Sequence, residues 1–292
     1  MSRIPTDFPE PHLDRACLPW AKYARVCEHG FSVVRPLVGD RVPDPCGWNY
    51  GAGHPPSYSA YGRMRGLLAV EDALALPGRS VLELAAQDGA VCVVLAEAGW
   101  SATANDLRSD LLEREIRTYR NHESVRRIYG NLFDINPDTT GKFDLIVACE
   151  IIEHVAHSIA FLEQCRRFLV PGGRALVTTP NGEYFRNMLP TWNQVEDFTA
   201  LESQQFKPDA DGHLFLLTPR EMMFVGKQAG FELEHAYVWG SPFLTGHFGF
   251  SRLAHRSVAP LCHGAERLVQ RLPDRLRSRL CTAMTVILRN PA

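Results

Sequence analysis

The nine residues from Val81 to Gly89, Val-Leu-Glu-Leu-Ala-Ala-Gln-Asp-Gly, constrain this chain more than any other stretch. Val81 to Ala85 has the apolar continuity of a strand buried on both faces. The small residues and Gly89 let the backbone turn directly into the apolar helical run Ala90 to Gly99. A strand that feeds a helix through so tight a turn predicts a parallel α/β unit. Ligands of open α/β sheets settle outside the carboxyl ends of such strands, where backbone N–H groups approach them closely. The turn is therefore a candidate nucleotide site, although two positions that such turns often give to glycine are Ala85 and Gln87 here.

The strand-helix alternation continues downstream. Ser101 to Asn105 reads as a strand whose end carries Asp106, about twenty residues beyond the first strand, where a carboxylate accepts from ribose hydroxyls. Helix Ser109 to Tyr119 and strand Val125 to Tyr129 complete one half of a doubly wound sheet. Strand Phe143 to Cys149, helix Ile159 to Leu169, a turn at Pro171 to Gly173 and strand Arg174 to Thr179 begin the other. Thr218 to Ala229 reads as a helix closed by Gly230, Phe231 to Trp239 as strand six, and Thr282 to Arg289 as a last strand. Before the sheet, Tyr61, Met64, Leu67, Val70 and Leu74 recur at helical spacing within Tyr58 to Leu76, and Pro77-Gly78 ends that helix.

Through Val81 to Gly89, Asn105-Asp106-Leu107, Gly130-Asn131-Leu132-Phe133-Asp134, Phe143-Asp144-Leu145-Ile146-Val147 and Leu169-Val170-Pro171-Gly172-Gly173, the chain resembles the class I S-adenosylmethionine-dependent methyltransferases over roughly Tyr61 to Trp239. The resemblance implies an α/β fold: a doubly wound, Rossmann-like, seven-stranded, mostly parallel sheet with an antiparallel last strand. Residues 1–60, rich in Pro, Trp, Tyr and Cys with turn signals at Pro43–Gly47 and Gly51–Pro56, read as an irregular N-terminal cap. The resemblance makes 61–240 the cofactor-binding core, 241–281 a helical insertion between strands six and seven and 282–292 the last strand of the core. It implies S-adenosylmethionine as cofactor, with Glu83 holding the turn and Ala85, Gln87 and Gly89 beneath the methionine part. Asp106 would take the ribose, Asn131 would lie near the adenine amino group, and Leu107 and Leu132 would flank the purine or simply pack in the core. Tyr58, Tyr61 and Arg63 are candidates for the methionine carboxylate.

A second constellation follows strand four, in Cys149-Glu150-Ile151-Ile152-Glu153-His154-Val155-Ala156-His157. If a helical turn begins here, Glu150, Glu153 and His154 share one face at i, i+3 and i+4. Two carboxylates and an imidazole suit a divalent cation, and the oxygen and nitrogen set does not choose among Mg, Mn, Fe and Zn. The run Thr179 to Tyr184, with Gly212-His213-Leu214-Phe215 and Thr218-Pro219-Arg220-Glu221, resembles two branches of the superfamily: ubiquinone-biosynthesis O-methyltransferases and small-RNA 2′-O-methyltransferases. In the RNA branch, positions matching Glu150, Glu153, His154 and His213 hold a metal. Without metal, His154 or His213 would serve as general base, or the Glu-His pair would only shape the pocket. His157 is a reserve ligand or a surface residue.

Both routes favour an oxygen nucleophile on a small-molecule acceptor, sugar or phenol-like, housed beside Tyr184, Phe185, Trp192, Phe198 and Phe206. Carbon methylation, in which Glu150 or Glu153 would accept the proton, 3′-terminal 2′-O-methylation of RNA and a noncatalytic cofactor-sensing module are the alternatives. The formal charge of −2 weighs against nucleic acid as partner. Eight cysteines without Cys-x-x-Cys spacing, and no apolar run near the ~18 residues of a membrane span, predict a reducing cytoplasm. Arg252 to Leu280 carries seven arginines against Glu266 and Asp274. There Leu261, Ala265, Leu268, Val269 and Leu272 are spaced as one apolar helical face between Pro260 and Pro273. That face predicts either packing onto the core with arginines in water, which is favoured, or peripheral contact of 252–280 with an anionic membrane.

Overall fold

The computed structural model describes residues 3–16, 68–205, 212–242 and 259–291. Strands β1 (Ser80–Leu84), β2 (Ser101–Asp106), β3 (Arg126–Tyr129), β4 (Phe143–Cys149), β5 (Leu169–Pro180), β6 (Glu232–Trp239) and β7 (Ala283–Arg289) form one sheet. Its order is β3-β2-β1-β4-β5-β7-β6, and β7 alone runs antiparallel to its neighbours β5 and β6. Around it lie α1 (Ala90–Glu97), α2 (Ser109–Ile116), α3 (Pro137–Thr140), α4 (Ser158–Arg167), α5 (Pro219–Gln228), α6 (Ala259–Val269) and α7 (Asp274–Leu280). Residues 68–74, ahead of β1, are helical. The doubly wound sheet with an antiparallel last strand, expected from the sequence, is the fold observed.

The central strands are apolar along their whole length because both faces are covered. Leu82, Leu84, Ile146 and Val177 face one core with Phe161 and Leu162 of α4 and Met222 and Val225 of α5. Val81, Leu145, Val147 and Leu176 face the other with Val91 and Val94 of α1 and Leu112 and Ile116 of α2. Each such side chain contributes about 2 kcal/mol through removal from water, so the two cores together fix which residues of each strand point where. Helix α5 starts where the sequence supplies a reciprocal cap: the Thr218 hydroxyl accepts from Glu221 N–H, the Glu221 carboxylate accepts from Thr218 N–H, and Pro219 occupies the first turn.

Two boundaries differ from the sequence expectation in ways that bear on the site and the sheet. Helix α2 stops at Ile116, freeing Tyr119 to donate its hydroxyl to Asp88 at 2.6 Å. Strand β5 begins at Leu169 and passes through Pro171–Gly173, with an irregular register against β4 between Phe143 and Leu145, where a separate turn was expected. Gly172, at φ 77°, absorbs that irregularity. Residues 17–60 of the expected N-terminal cap, together with Tyr58, Tyr61, Arg63, Phe206 and 243–258 of the insertion, lie outside the described residues.

Residues 3–16 form a strap across α5 and β6. Arg220 of α5 donates to the Phe8 carbonyl at 2.6 Å, Phe8 packs edge-on against Phe224, and Asp14 N–H donates to Ala236 of β6 at 2.7 Å. The insertion between β6 and β7 is joined to the sheet by buried polar groups rather than by a leucine face. Glu266 is 1 % exposed and accepts from the N–H groups of Gly240 and Ser241 at 3.1 and 2.7 Å. Gln270 donates to the Val238 carbonyl, and buried Arg277 donates to Leu13 and Asp274. Val269 points inward, whereas Leu268, expected on the same buried face, is 64 % exposed. The reason is that α6 presents Glu266, Val269 and Gln270 to the core, a set that apolar periodicity does not register.

Candidate active site

Strands β1, β4 and β5 are parallel and in register at Leu84–Ala148 and Cys149–Thr178, so the segments that leave their carboxyl ends meet at one edge of the sheet. Two groups of residues gather there. The first is the turn after β1. Ala85 and Gln87 both adopt left-handed backbone, each at φ 50°, and Gly89 does so at φ 70°. The non-glycine residues thus keep the conformation that glycine would supply, at a cost of about 1–2 kcal/mol each. Hydrogen bonds offset it. Gln87 N–H donates to Asp106 Oδ2 at 2.8 Å, Arg108 N–H donates to Oδ1 at 2.8 Å, and Gly89 N–H donates to the Ala86 carbonyl at 2.7 Å.

The same turn opens α1, whose first N–H groups need acceptors. Asp88 takes Ala90 N–H at 3.0 Å and Glu83 takes Cys92 N–H at 3.1 Å. Burial pushes the Glu83 carboxyl up to about 8, with the nearby Asp88 and Asp106 adding to the rise. Burial likewise raises the Cys92 thiol. Gly89 has no room for a side chain, since a Cβ there would lie 2.7 Å from Ile116 Cδ1.

The remaining residues expected to hold a cofactor divide between mouth and core. Leu107 is 45 % exposed beyond β2, while Leu132 is 6 % exposed and belongs to the core cluster around β4. Asn131 Oδ1 accepts Phe133 N–H at 3.1 Å, and Phe133, for which the sequence offered no role, is 44 % exposed beside it. These residues fit S-adenosylmethionine. An ionised carboxylate offers about four acceptor positions, and the two backbone donors on Asp106 leave capacity for ribose hydroxyls.

The second group follows β4. Glu150 adopts φ 54°, and the short 3-10 turn Ile152–His154 begins after it. The helical spacing that would set Glu150 on one face with Glu153 and His154 is therefore broken, and Glu150 Oε1 instead accepts the Thr178 hydroxyl at 2.9 Å. Glu153, His154 and His213 do converge, with one ligand atom from each lying within 4.8 Å of the others. Glu153 is fully buried and accepts the Thr179 hydroxyl at 2.9 Å, and its backbone carbonyl accepts Leu214 N–H, drawing His213 over from the segment before α5. His213 Nε2 lies 3.9 Å from Glu153 Oε1, and the two imidazole rings meet edge to face at 4.9 Å. His154 Nδ1 lies 3.1 Å from the Gly212 carbonyl; a carbonyl only accepts, so Nδ1 carries the proton and Nε2 keeps its lone pair.

His157 is drawn away from this group into a surface pair with Glu202 at 2.6 Å. Thr178 and Thr179, which orient the two glutamates, went unassigned from the sequence. Their signal is a pair of hydroxyl residues ending an otherwise apolar strand at the ligand-binding edge. Trp192 and Phe198 pack against each other and take Arg3 over the Phe198 ring at 4.6 Å, so both serve the strap and the core.

A family model described as methyltransferase domain matches residues 61–236. The chain belongs to the class I S-adenosylmethionine-dependent methyltransferases. Relatives of this methyltransferase include a ubiquinone biosynthesis O-methyltransferase of Xanthomonas campestris, 29 % identical over 131 residues, covering 40 % of this chain and 54 % of that one. The enzyme of the same description from Xylella fastidiosa is 29 % identical over 138 residues, covering 42 % and 56 %. The chain thus spans about half the length of the curated relatives it matches. Among solved structures, an S-adenosylmethionine-dependent methyltransferase from Mesorhizobium loti superimposes with a TM-score of 0.50 at 18 % identity, covering 76 % of this chain and 97 % of that one, a likeness of fold.

Proposed function

We propose that this methyltransferase methylates a hydroxyl oxygen of a small organic acceptor, sugar or phenol-like, with a divalent cation held by Glu153, His154 and His213. The convergence of those three residues carries the reading, because it lies at the sheet edge shared with the Ala85–Gly89 turn. Relatives described as O-methyltransferases support oxygen as the acceptor atom.

S-adenosylmethionine supplies, when bound, a methyl group on a positively charged sulfur that an in-line nucleophile can displace. A divalent cation in the Glu153, His154 and His213 set would lower the pKa of an acceptor hydroxyl. The protein's own part is alignment. The Gln87–Asp106 hydrogen bond holds the cofactor turn, the Gly212 carbonyl orients His154 with Nε2 available, and Thr179 keeps the buried Glu153 carboxylate directed at His213. Three protein ligands leave coordination positions for acceptor oxygens, as in catalytic rather than structural sites.

Calorimetric titration with S-adenosylhomocysteine, followed by a screen of hydroxylated acceptors with chelator and with restored metal, tests this reading. Micromolar cofactor binding together with turnover that is lost on chelation, and lost in Glu153→Ala and His213→Ala, is the expected result. Turnover indifferent to chelator overturns the metal assignment, and absence of cofactor binding overturns the enzymatic one.

A further inference from the structure

We infer that the two-helix insertion between β6 and β7 is a peripheral docking surface for an anionic lipid bilayer. The observation is a repeated outward pattern. Helix α6 and the turn after it expose Arg267, Leu268 and Arg271, and α7 exposes Arg275, Leu276 and Arg279, so Arg-Leu-x-x-Arg recurs on the outer side of both. The positions between are spent inward: Val269 and Gln270 in one repeat, Arg277 and Ser278 in the other, are all buried. Leu268 is 64 % and Leu276 52 % exposed.

Within 266–280 the fully exposed charged residues are all arginines. Among the described residues, Arg267, Arg271, Arg275 and Arg279 make no side-chain hydrogen bond or ion pair. Of the two acidic residues in the same stretch, Glu266 is buried against Gly240 and Ser241, and Asp274 is engaged by Arg277 and Leu13 N–H. A chain whose formal net charge is −2 therefore concentrates unpaired guanidinium groups in one place.

A second apolar element adjoins it. Phe185 N–H donates to the Arg279 carbonyl at 3.0 Å, which lays the loop after β5 against the last turn of α7. That loop exposes Phe185, Met188 and Leu189, Met188 to 93 %. Exposed arginines and leucines on α6 and α7, with a loop of exposed phenylalanine, methionine and leucine tied by its backbone to α7, match the headgroup boundary of a membrane, where guanidinium groups meet phosphate and apolar tips enter the acyl region. An acidic soluble protein would use the arginines but gain less from Met188, which stands almost fully free of its neighbours. The described helices do not cross a bilayer, since none is long and apolar enough, so the contact is with its surface.

The experiment is flotation of the full chain with vesicles of neutral phosphatidylcholine or of a phosphatidylcholine and phosphatidylglycerol mixture, at low and high salt. Binding to the anionic vesicles is expected, weak on the neutral ones and reduced by salt. Each of R271E, R275E and R279E should lower the membrane partition coefficient about fivefold or more, in line with the usual contribution of about 1 kcal/mol for one arginine at an anionic surface. Leu276→Asp and Met188→Asp, on separate elements, should each lower it with the melting temperature unchanged, which separates lost contact from lost fold. No binding to anionic vesicles overturns the inference. Binding that survives both the arginine reversals and the two aspartates does so as well, as does recovery only with soluble acidic polymer.

Discussion

The Gln87 backbone N–H lies 2.8 Å from Asp106 Oδ2, fastening the turn that leaves β1 to the end of β2. One carboxylate thereby holds a left-handed, non-glycine turn in place while facing the edge where the cofactor would lie. Asp106→Ala should lower S-adenosylhomocysteine affinity more than tenfold and cost about 2 kcal/mol of stability, because two backbone donors lose their acceptor. Gln87→Gly should instead stabilise by about 0.5 kcal/mol, the left-handed strain relieved exceeding the added chain entropy. Urea unfolding of the two variants checks both signs.

Gly89 tests the same turn from below. Alanine there must keep φ 70° and push its Cβ against Ile116, so Gly89→Ala should destabilise by about 2–4 kcal/mol. A midpoint shift smaller than that of Gly99→Ala, where no atom lies within 4 Å of the added carbon, would contradict the packing argument.

Glu83 gives the protein a pH signature. Its carboxyl is raised to about 8 by burial, while the unfolded chain releases the proton near 4.5. Between those values the folded state binds more protons, so raising pH favours unfolding. The stability of the wild type relative to Glu83→Gln should be greatest below pH 4.5 and fall progressively toward pH 8. Parallel stability profiles for the two proteins, measured by denaturant titration across this window, would refute it.

The two threonines that end β5 separate the roles of the glutamates. Thr179 donates to Glu153, inside the candidate metal set, and Thr178 donates to Glu150, outside it. Thr179→Val should weaken Mn or Zn binding about tenfold, whereas Thr178→Val should leave it within twofold. Calorimetry on both variants decides, and equal losses would place Glu150 among the ligands after all.

How far the sequence carried can be judged residue by residue. The strands around β1 and β4 were legible because burial on both faces demands continuous apolar runs, and the antiparallel β7 followed from the family resemblance. That Gln87 stands where such turns favour glycine was visible, but that a glutamine would keep the left-handed backbone was not; the hydrogen bond from its N–H to the distant Asp106 carboxylate supports that state. Glu150 was misplaced by extrapolating helical spacing through a residue whose φ of 54° ends that geometry before the 3-10 turn begins. Leu268 was turned the wrong way because Glu266 and Gln270, polar and deeply buried, occupy the inward side of α6. Pattern reading ranks residues by hydrophobicity, and buried polar contacts invert that ranking.

The placement of β7 between β5 and β6 sets an order on synthesis. When Trp239 has emerged from the ribosome, β6 has no strand to pair with, and β5 carries one open edge, until residues 283–289 follow. During that interval the nascent chain offers one edge of β5 and both edges of β6 to solvent, to chaperones or to another copy of itself. The insertion is thus also a delay. The anchoring of Glu266 to Gly240 and Ser241 could form before β7 arrives, steadying the end of β6 while its partner is still being made.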